Sequence, residues 1–516
     1  MLLLLLVLAG ADPKPSKEID AETIKAFEAA GAEYGYLSPL PSGEKRFKTK
    51  RHGGKEGMPG FLFPSTATRR ADKLPKVAVP FALVLHLASW NIRSMEVLAG
   101  QDKLVHLSVA NASLDEESLK HLVSIASLRE LILDYSLIGD AEVAKLARHG
   151  KLAKLSLTGT KVTDAGLKPL AALGSLDTLC LYETGITDTG LKTLAGSKSL
   201  TGLYIGDTRI TDAGLARLAG LKGLRLLNLQ KADISDAGLR HIEGHAGLRM
   251  LNLVGTDTTD AGLSSVAKLK GLVALDLGRT RVTDKGCGTV AELAGLKELY
   301  LPKTDVGDAG LKRLAALSGL TTLGLGETLV TDAGFAALAG FRRLETLNLQ
   351  QARITDAGMK HLAGLKALQV LDLSKTRTSD AGLEHLAGLD RLESLHLEET
   401  RVAGPGLKHV GRLARLKVLS LRDVRLGDDA LPHLSGLREL DWLDLVSARI
   451  DDEGLAHLAA LKSLRTLQLW GTRVSDAGLK HLGGMKGLVS LSLDSTRATF
   501  EGKEKLRLLL PGCSIP

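Results

Sequence analysis

The sequence is poor in the residues that usually carry cross-links or chemistry. Aromatic residues make up only 3% of 516, so any core must be aliphatic. The three cysteines, Cys180, Cys287 and Cys513, are odd in number and far apart, which excludes a disulfide framework and a CxxC metal site. No GxxxxGK[ST] loop, no GxGxxG after a strand, no HExxH and no GxSxG elbow is present, so those classes of enzyme are excluded. The run HGGKEG, His52 to Gly57, is similar to a Gly-rich oxyanion loop, but no nucleophile elbow accompanies it and it reads as a solvated loop. No cofactor is expected. The apolar run Leu2 to Leu8 in MLLLLLVLAGADPKP is too short to span a membrane. With the small residues Ala9-Gly10-Ala11 behind it, it reads as a signal peptide over 1–11 and an exported chain. The absence of Lys and Arg before this run fits a start farther upstream, or a cytoplasmic chain as the alternative.

Charge of one sign is also scarce once its position is considered. The formal total is +8. Pro41 to Lys76 alone carries ten Lys/Arg against three Asp/Glu, and Asp12 to Leu40 carries three against six, which leaves about +4 for the remaining residues, 77–516. No specific nucleic-acid partner follows from such a balance.

What the chain has in abundance is a repeat. From Leu104 a leucine recurs at every twenty-fourth position through Leu128, Leu152 and onward to Leu464 and Leu488. A degenerate unit opening at Pro80 adds to these, giving about eighteen units. LQVLDL, Leu368 to Leu373, has the LxxLxL alternation of a short strand, with Leu371 and Leu373 on one side and Asp372 on the other. SDAGLEHLAGL, Ser379 to Leu389, reads as a helix with Ser379 as N-cap, Asp380 in the positive first turn and Gly388 at the C-terminus. One such unit cannot close a core, so stacked units must bury one another's leucines. Stacking predicts an α/β solenoid: a parallel sheet, short helices behind it, and curvature with the sheet inside.

LxxLxLxxT followed by ITDAGLKxLA resembles the leucine-rich repeat, and most nearly the TDAGL type of secreted bacterial proteins such as those of planctomycetes. It is similar also to the repeats of F-box proteins and to ribonuclease-inhibitor-like horseshoes. The resemblance covers about 80–516, and it implies a horseshoe but not a particular function. Where many such repeats carry Asn after the strand, this chain has Thr160, Thr184, Thr208 and Thr376, or Ala232, Ala352 and Ala448. A hydroxyl there can still bond the turn; a methyl cannot. Around the solenoid at 80–498 the sequence predicts an N-terminal cap at 12–79, a helix over Glu18 to Tyr34 followed by a basic Gly/Pro-rich loop. A C-terminal cap is expected at 499–516, and the chain reads as complete from cap to cap. An adaptor for protein degradation would need an F-box before the repeats, and 12–79 does not resemble one.

Function is expected where the repeat varies. Strand residues between the leucines should face the concave side, and there stand Tyr182, Tyr204, Asn228, Asn252, Asp276, Tyr300, Asn348, Asp372, His396, Arg422, Trp442, Asp444 and Trp470. Tyr182 and Tyr204 with Glu183 and Asp207 form one candidate patch for a protein or peptide partner; Trp442 and Trp470 with Asp444 and Arg422 form another. Cys180 on that face would be an exposed, inert thiol, and Cys287 a packing residue. Calcium at Asn228, Asn252 and Asp276 is disfavoured by their even spacing. Eight histidines, His121, His241, His361, His385, His409, His433, His457 and His481, share one helix position. Neighbouring helices could bring at most two of them to one metal, and no metal site is expected.

A last ladder is Arg353, Arg377, Arg401, Arg425, Arg449, Arg473 and Arg497, one per unit. Strands would set these about 4.8 Å apart. They are expected to pair with Asp356, Asp380, Asp428, Asp452 and Asp476 at the helix starts. The alternative is an anion strip serving an architectural role in the cell envelope, binding a polyanion or wall polymer.

Overall fold

The computed structural model describes residues 18–39, 45–49, 57–63, 74–86, 96–98 and 100–516. The segment read as a signal peptide and most of the HGGKEG loop lie outside them. The chain divides into two compact units, Met1–Asp276 and Leu277–Pro516.

In the first unit the helix Ala21–Ala29 begins at Asp20, whose carboxylate accepts the Thr23 N–H at 2.8 Å. The helix ends earlier than the periodicity suggested, because Glu33–Pro39 is already a strand. The stretch read as a basic loop contributes two more strands. Lys45–Thr49 and Met58–Phe63 each lie antiparallel to Glu33–Pro39, and Met58–Phe63 then runs parallel to Phe81–His86. Here the scarce aromatics concentrate. Phe27 stacks on Phe61 at 3.8 Å between ring centres, and Phe81 meets Phe61 edge-on at 6.4 Å. An aromatic plug thus closes the end of a core that is otherwise mainly aliphatic.

From Leu104–Ala110 onward every unit adds a parallel strand, usually of three residues, in register with its predecessor: Leu203 beside Leu227, Leu227 beside Leu251. The second unit repeats this from Glu298–Tyr300 to Ser490–Ser492, with Leu371 beside both Leu347 and Leu395. Leu368, Leu371, Leu373, Leu383, Leu386 and Leu389 are fully buried. Each contributes roughly 1.5–3 kcal/mol by leaving water. In both units the fold is therefore an α/β leucine-rich-repeat solenoid, with strands on one face and short helices on the other.

The helical half is less regular than its sequence. Asp308–Leu314 is α-helical throughout, whereas the segment read as one helix from Ser379 splits into an α turn, Asp380–Leu383, and a 3-10 turn, Glu384–Leu386. Within 24 residues the chain must also return to the next strand, and a 3-10 turn, rising about 2.0 Å per residue against about 1.5 Å, covers the same length with fewer residues.

Where a threonine replaces Asn after the strand, its hydroxyl holds the turn. Thr160 Oγ1 donates to the Leu157 carbonyl at 2.6 Å and Thr376 Oγ1 to that of Leu373 at 2.7 Å. At the alanine positions the backbone alone closes the turn, as in Ala352 N to Leu349 O at 2.9 Å. The residue before it is left-handed in turn after turn, including Glu183, Asp207, Lys231, Lys375 and Glu399. Successive turns are joined by the helix-start aspartate. Asp212 Oδ1 accepts the Ser235 N–H at 2.8 Å and Oδ2 its hydroxyl at 2.5 Å; Asp332 does the same for Thr355, at 2.8 and 2.6 Å.

In the last turns the helix Phe500–Leu509 buries its own Leu506, and the chain then returns to the sheet edge. Leu491 N donates to Ser514 O at 2.9 Å, so the final strand does not present an unpaired ladder there.

Candidate binding surface

Residues that alternate with the strand leucines lie on the open face of the strands, and those in the left-handed turn form its rim. In the first unit they assemble a joined network. Tyr182 OH accepts from Gln230 Nε2 at 3.2 Å and donates to Asp207 Oδ2 at 3.4 Å, and Lys231 Nζ reaches the same Oδ2 at 2.7 Å. The hydrogen bond to Asp207 raises the Lys231 pKa. Burial raises that of the Tyr182 phenol, with Lys231 opposing and Asp207 reinforcing the shift. Four side chains from three turns are therefore held in place by one another. Glu183 is exposed beside them. Tyr204 is only 8% exposed and offers a partner little area.

Two residues that periodicity did not single out belong to the exposed apolar surface of this unit. Tyr135 is 52% exposed and Leu137 59%. Tyr135 occupies the left-handed position, φ 55°, where neighbouring turns carry Gly159, Glu183 and Asp207. An aromatic ring in a conformation that suits Gly or Asn was the available signal. Its ring lies over Gly159, where an added Cβ would collide with it.

The polar residues between the strand leucines have a role that alternation did not reveal. Asn228, Asn252, Asn348, Asp372 and Asp444 each accept, through Oδ1, the backbone N–H two residues on, at 2.9–3.0 Å. They satisfy the strand's exit as well as facing outward. Asn228, Asn252 and Asp276 are buried, while Tyr300 is half-buried and its hydroxyl donates to Glu298 Oε2 at 3.3 Å.

In the second unit Arg422 donates through Nε and Nη2 to Asp444 Oδ2 at 3.0 and 2.9 Å. Asp444 is 1% exposed, so its carboxylate fixes Arg422 and is not itself on offer. Trp470 is 46% exposed and Trp442 half-buried. Asn348 Nδ2 donates to Asp372 Oδ2 at 3.0 Å. His396 bonds Ser394 Oγ through Nε2 at 3.0 Å and, together with Ser420, holds the Glu398 carboxyl below its usual range.

Cys180 is half-buried rather than exposed. Thr158 Oγ1 lies 3.1 Å from its sulfur, and burial pushes the thiol pKa up, the opposite of activation. Cys287 is fully buried. The eight ladder histidines are half-buried or exposed, and among the described residues no group of three or more His, Cys, Asp or Glu could hold a metal ion.

The arginine ladder departs from expectation. All seven guanidinium-bearing residues are exposed, and none forms an ion pair with a described residue. The aspartates expected to pair with them are turned to the next unit instead. Asp356 and Asp452 take the N–H and hydroxyl of Ser379 and Ser475, Asp476 those of Thr499, and Asp380 and Asp428 take backbone N–H groups.

Residues 342–402 match the leucine rich repeat family. No curated protein gives a match. Among solved structures, an internalin from Listeria monocytogenes is 22% identical, covering 73% of this chain and 88% of its own, with a TM-score of 0.38. The leucine-rich-repeat protein LIC12759 of Leptospira interrogans is 18% identical over 83% and 93%, with a TM-score of 0.37. The ectodomain of the Arabidopsis receptor kinase HAESA, solved with a peptide hormone ligand, is 17% identical over 78% and 68%, with a TM-score of 0.43. The matched segment lies within the 24-residue phase that continues on either side of it.

Proposed function

We propose that this protein is a non-enzymatic scaffold that binds a protein or peptide partner on the open strand face of its solenoid. The observation that carries the reading is the network of Tyr182, Gln230, Asp207 and Lys231. A ring and an ammonium locked by neighbours lose little freedom on binding, which is what makes such residues effective interface anchors. Tyr135 and Leu137 extend the patch with apolar area. Trp470 and the fixed Arg422 supply the same ingredients in the second unit. The partner is engaged without chemistry on it, a reading supported by Cys180, whose thiol burial shifts away from the thiolate. The scaffold works outside the cytoplasm, a reading supported by Leu2 to Leu8 followed by Ala9-Gly10-Ala11, and N-terminal sequencing of the mature chain tests it. None of the helices among the described residues is long and apolar enough to cross a membrane.

The experiment is affinity capture from an extract of the source organism's cell envelope. The parent chain is compared with a variant carrying Tyr135→Ala, Tyr182→Ala and Trp470→Ala, after both show the same circular dichroism and melting. A partner retained only by the parent supports the reading. Equal retention by both removes the strand face from consideration.

A further inference from the structure

We propose, on the reading of the open strand face as the binding surface, that Gly159 is a positioning residue of that surface. By offering no side chain it lets Tyr135 lie across it, end to end with Tyr182, as one aromatic strip running across the strands. Gly159 has a backbone φ of 65°, which ordinarily explains a glycine by itself. Here it does not. The same turn position holds Glu183, Asp207 and Lys231 at φ 55°, 53° and 57°, so the fold accepts a side chain there. What excludes one at 159 is the ring, because an added Cβ would collide with Tyr135 Cδ1 and Cε1.

The arrangement has three parts, one per turn, and it occurs twice. Tyr135 crosses Gly159 toward Glu183. Burial raises its phenol pKa, and the charge of Glu183 and a hydrogen bond to that carboxylate add to the shift. Tyr182 crosses Gly206, where a Cβ would stand 3.0 Å from Tyr182 Cε2, and its hydroxyl accepts from Gln230 Nε2 at 3.2 Å. In both cases the glycine follows the tyrosine by 24 residues and the polar partner by 48. The two other tyrosines of the repeats show what each part does. Tyr300 has Gly324 one turn on, with the Cβ position 3.0 Å from its Cδ1. Asn348, two turns on, is taken by Asp372 and Gln350 N, and the Tyr300 hydroxyl turns back to Glu298. Tyr204 has Asn228 one turn on in place of glycine, and it is buried. Because Glu183 adjoins Tyr182, the two crossings meet. The strip runs from the turn of Tyr135 to that of Lys231, four strand spacings or about 19 Å. A partner segment lying across the strands meets both rings, whereas one running along a strand meets only one.

The test uses the free chain, so its outcome is independent of partner capture. Gly159→Asn keeps a residue that tolerates left-handed backbone and adds a Cβ under the ring. In urea it should lower the unfolding midpoint of the parent and leave that of Tyr135→Ala unchanged. The second readout is the Tyr135 ring itself, followed by carbon-13 NMR of tyrosine-labelled chain and assigned by its loss in Tyr135→Phe. Its phenol should titrate lower in Gly159→Asn than in the parent, because the displaced ring loses its contact with the turn and with Glu183. An equal loss of stability in both backgrounds, or an unchanged Tyr135 titration, would overturn the proposal. Should Gly159→Asn fail to fold, recovery of folding on adding Tyr135→Ala supports the proposal and no recovery overturns it.

Discussion

Asp356 and Ser379, one turn apart, are joined twice: Oδ1 accepts the Ser379 N–H at 2.7 Å and Oδ2 accepts its hydroxyl at 2.5 Å. The carboxylate thereby closes the start of the next helix from outside it. Replacing Asp356 with alanine leaves that N–H unanswered and should cost about 1–3 kcal/mol. Asparagine should cost less, since it keeps one acceptor. Urea unfolding gives the magnitude, and hydrogen exchange at the Ser379 amide should rise in Asp356→Ala before amides many turns away are affected.

The glycine of the DAG triplet is explained by the same carboxylate. A Cβ added to Gly382 would stand 2.5 Å from Asp356 Oδ1. Glycine to alanine in a helix ordinarily stabilises by about 0.5–1 kcal/mol. Here the sign should invert, with Gly382→Ala lowering the midpoint of unfolding. In the double variant Asp356→Ala/Gly382→Ala the two losses should fall short of their sum, because removing the carboxylate removes the collision. A double-mutant cycle in urea checks this.

His106, Glu130 and Lys154 occupy one face of three consecutive strands. His106 Nδ1 is 2.8 Å and Lys154 Nζ 3.2 Å from the two oxygens of Glu130. His106 and Glu130 are buried. Glu130→Ala should cost about 2–3 kcal/mol, toward the low end for a broken buried pair because Lys154 retains access to water. Lys154→Ala should cost less than half as much. Chemical denaturation of the three proteins ranks them.

Glu298 supplies a pH dependence. Burial pushes its carboxyl up to about 7, and the hydrogen bond from Tyr300 only partly opposes the shift. The folded chain therefore binds this proton more tightly than the unfolded one, whose carboxyl titrates near 4.5. Its contribution to stability is complete below pH 4.5 and is lost as pH rises through about 7. Glu298→Gln should flatten that part of the stability profile and raise the melting temperature above pH 7 relative to the parent. An unchanged slope between pH 5 and 8 would count against this assignment.

Much of the fold was legible because the leucine period leaves only one way to stack. Leu371 and Leu373 point inward because nothing else buries them. The joints between turns were harder to see. Asp380 and its counterparts read as favourable charges at helix starts, whereas their carboxylates mostly serve the following turn, a contact 23 residues away that no local rule reports. The same reallocation leaves the arginine ladder without its expected partners. At the strand face, alternation located Tyr182 and Asp444 but could not separate a residue offered outward from one consumed by a neighbour. Asp444 is consumed by Arg422 and Val446 N; Tyr182 is steadied by Gln230 and Asp207. Tyr135 escaped notice because it breaks the repeat at the turn and not on the strand.

The joint between Asp356, Ser379 and Gly382 also bears on how such a chain can grow. Every regular turn carries both halves of the fastening, an aspartate for the turn ahead and a hydroxyl with a glycine for the turn behind. A gene segment encoding one whole turn, copied in place, arrives with both of its seams already made. A copied segment that is not a whole number of turns separates the carboxylates at its seams from their glycines. The unbroken spacing from Leu104 to Leu488 is the pattern that duplication under this constraint would leave.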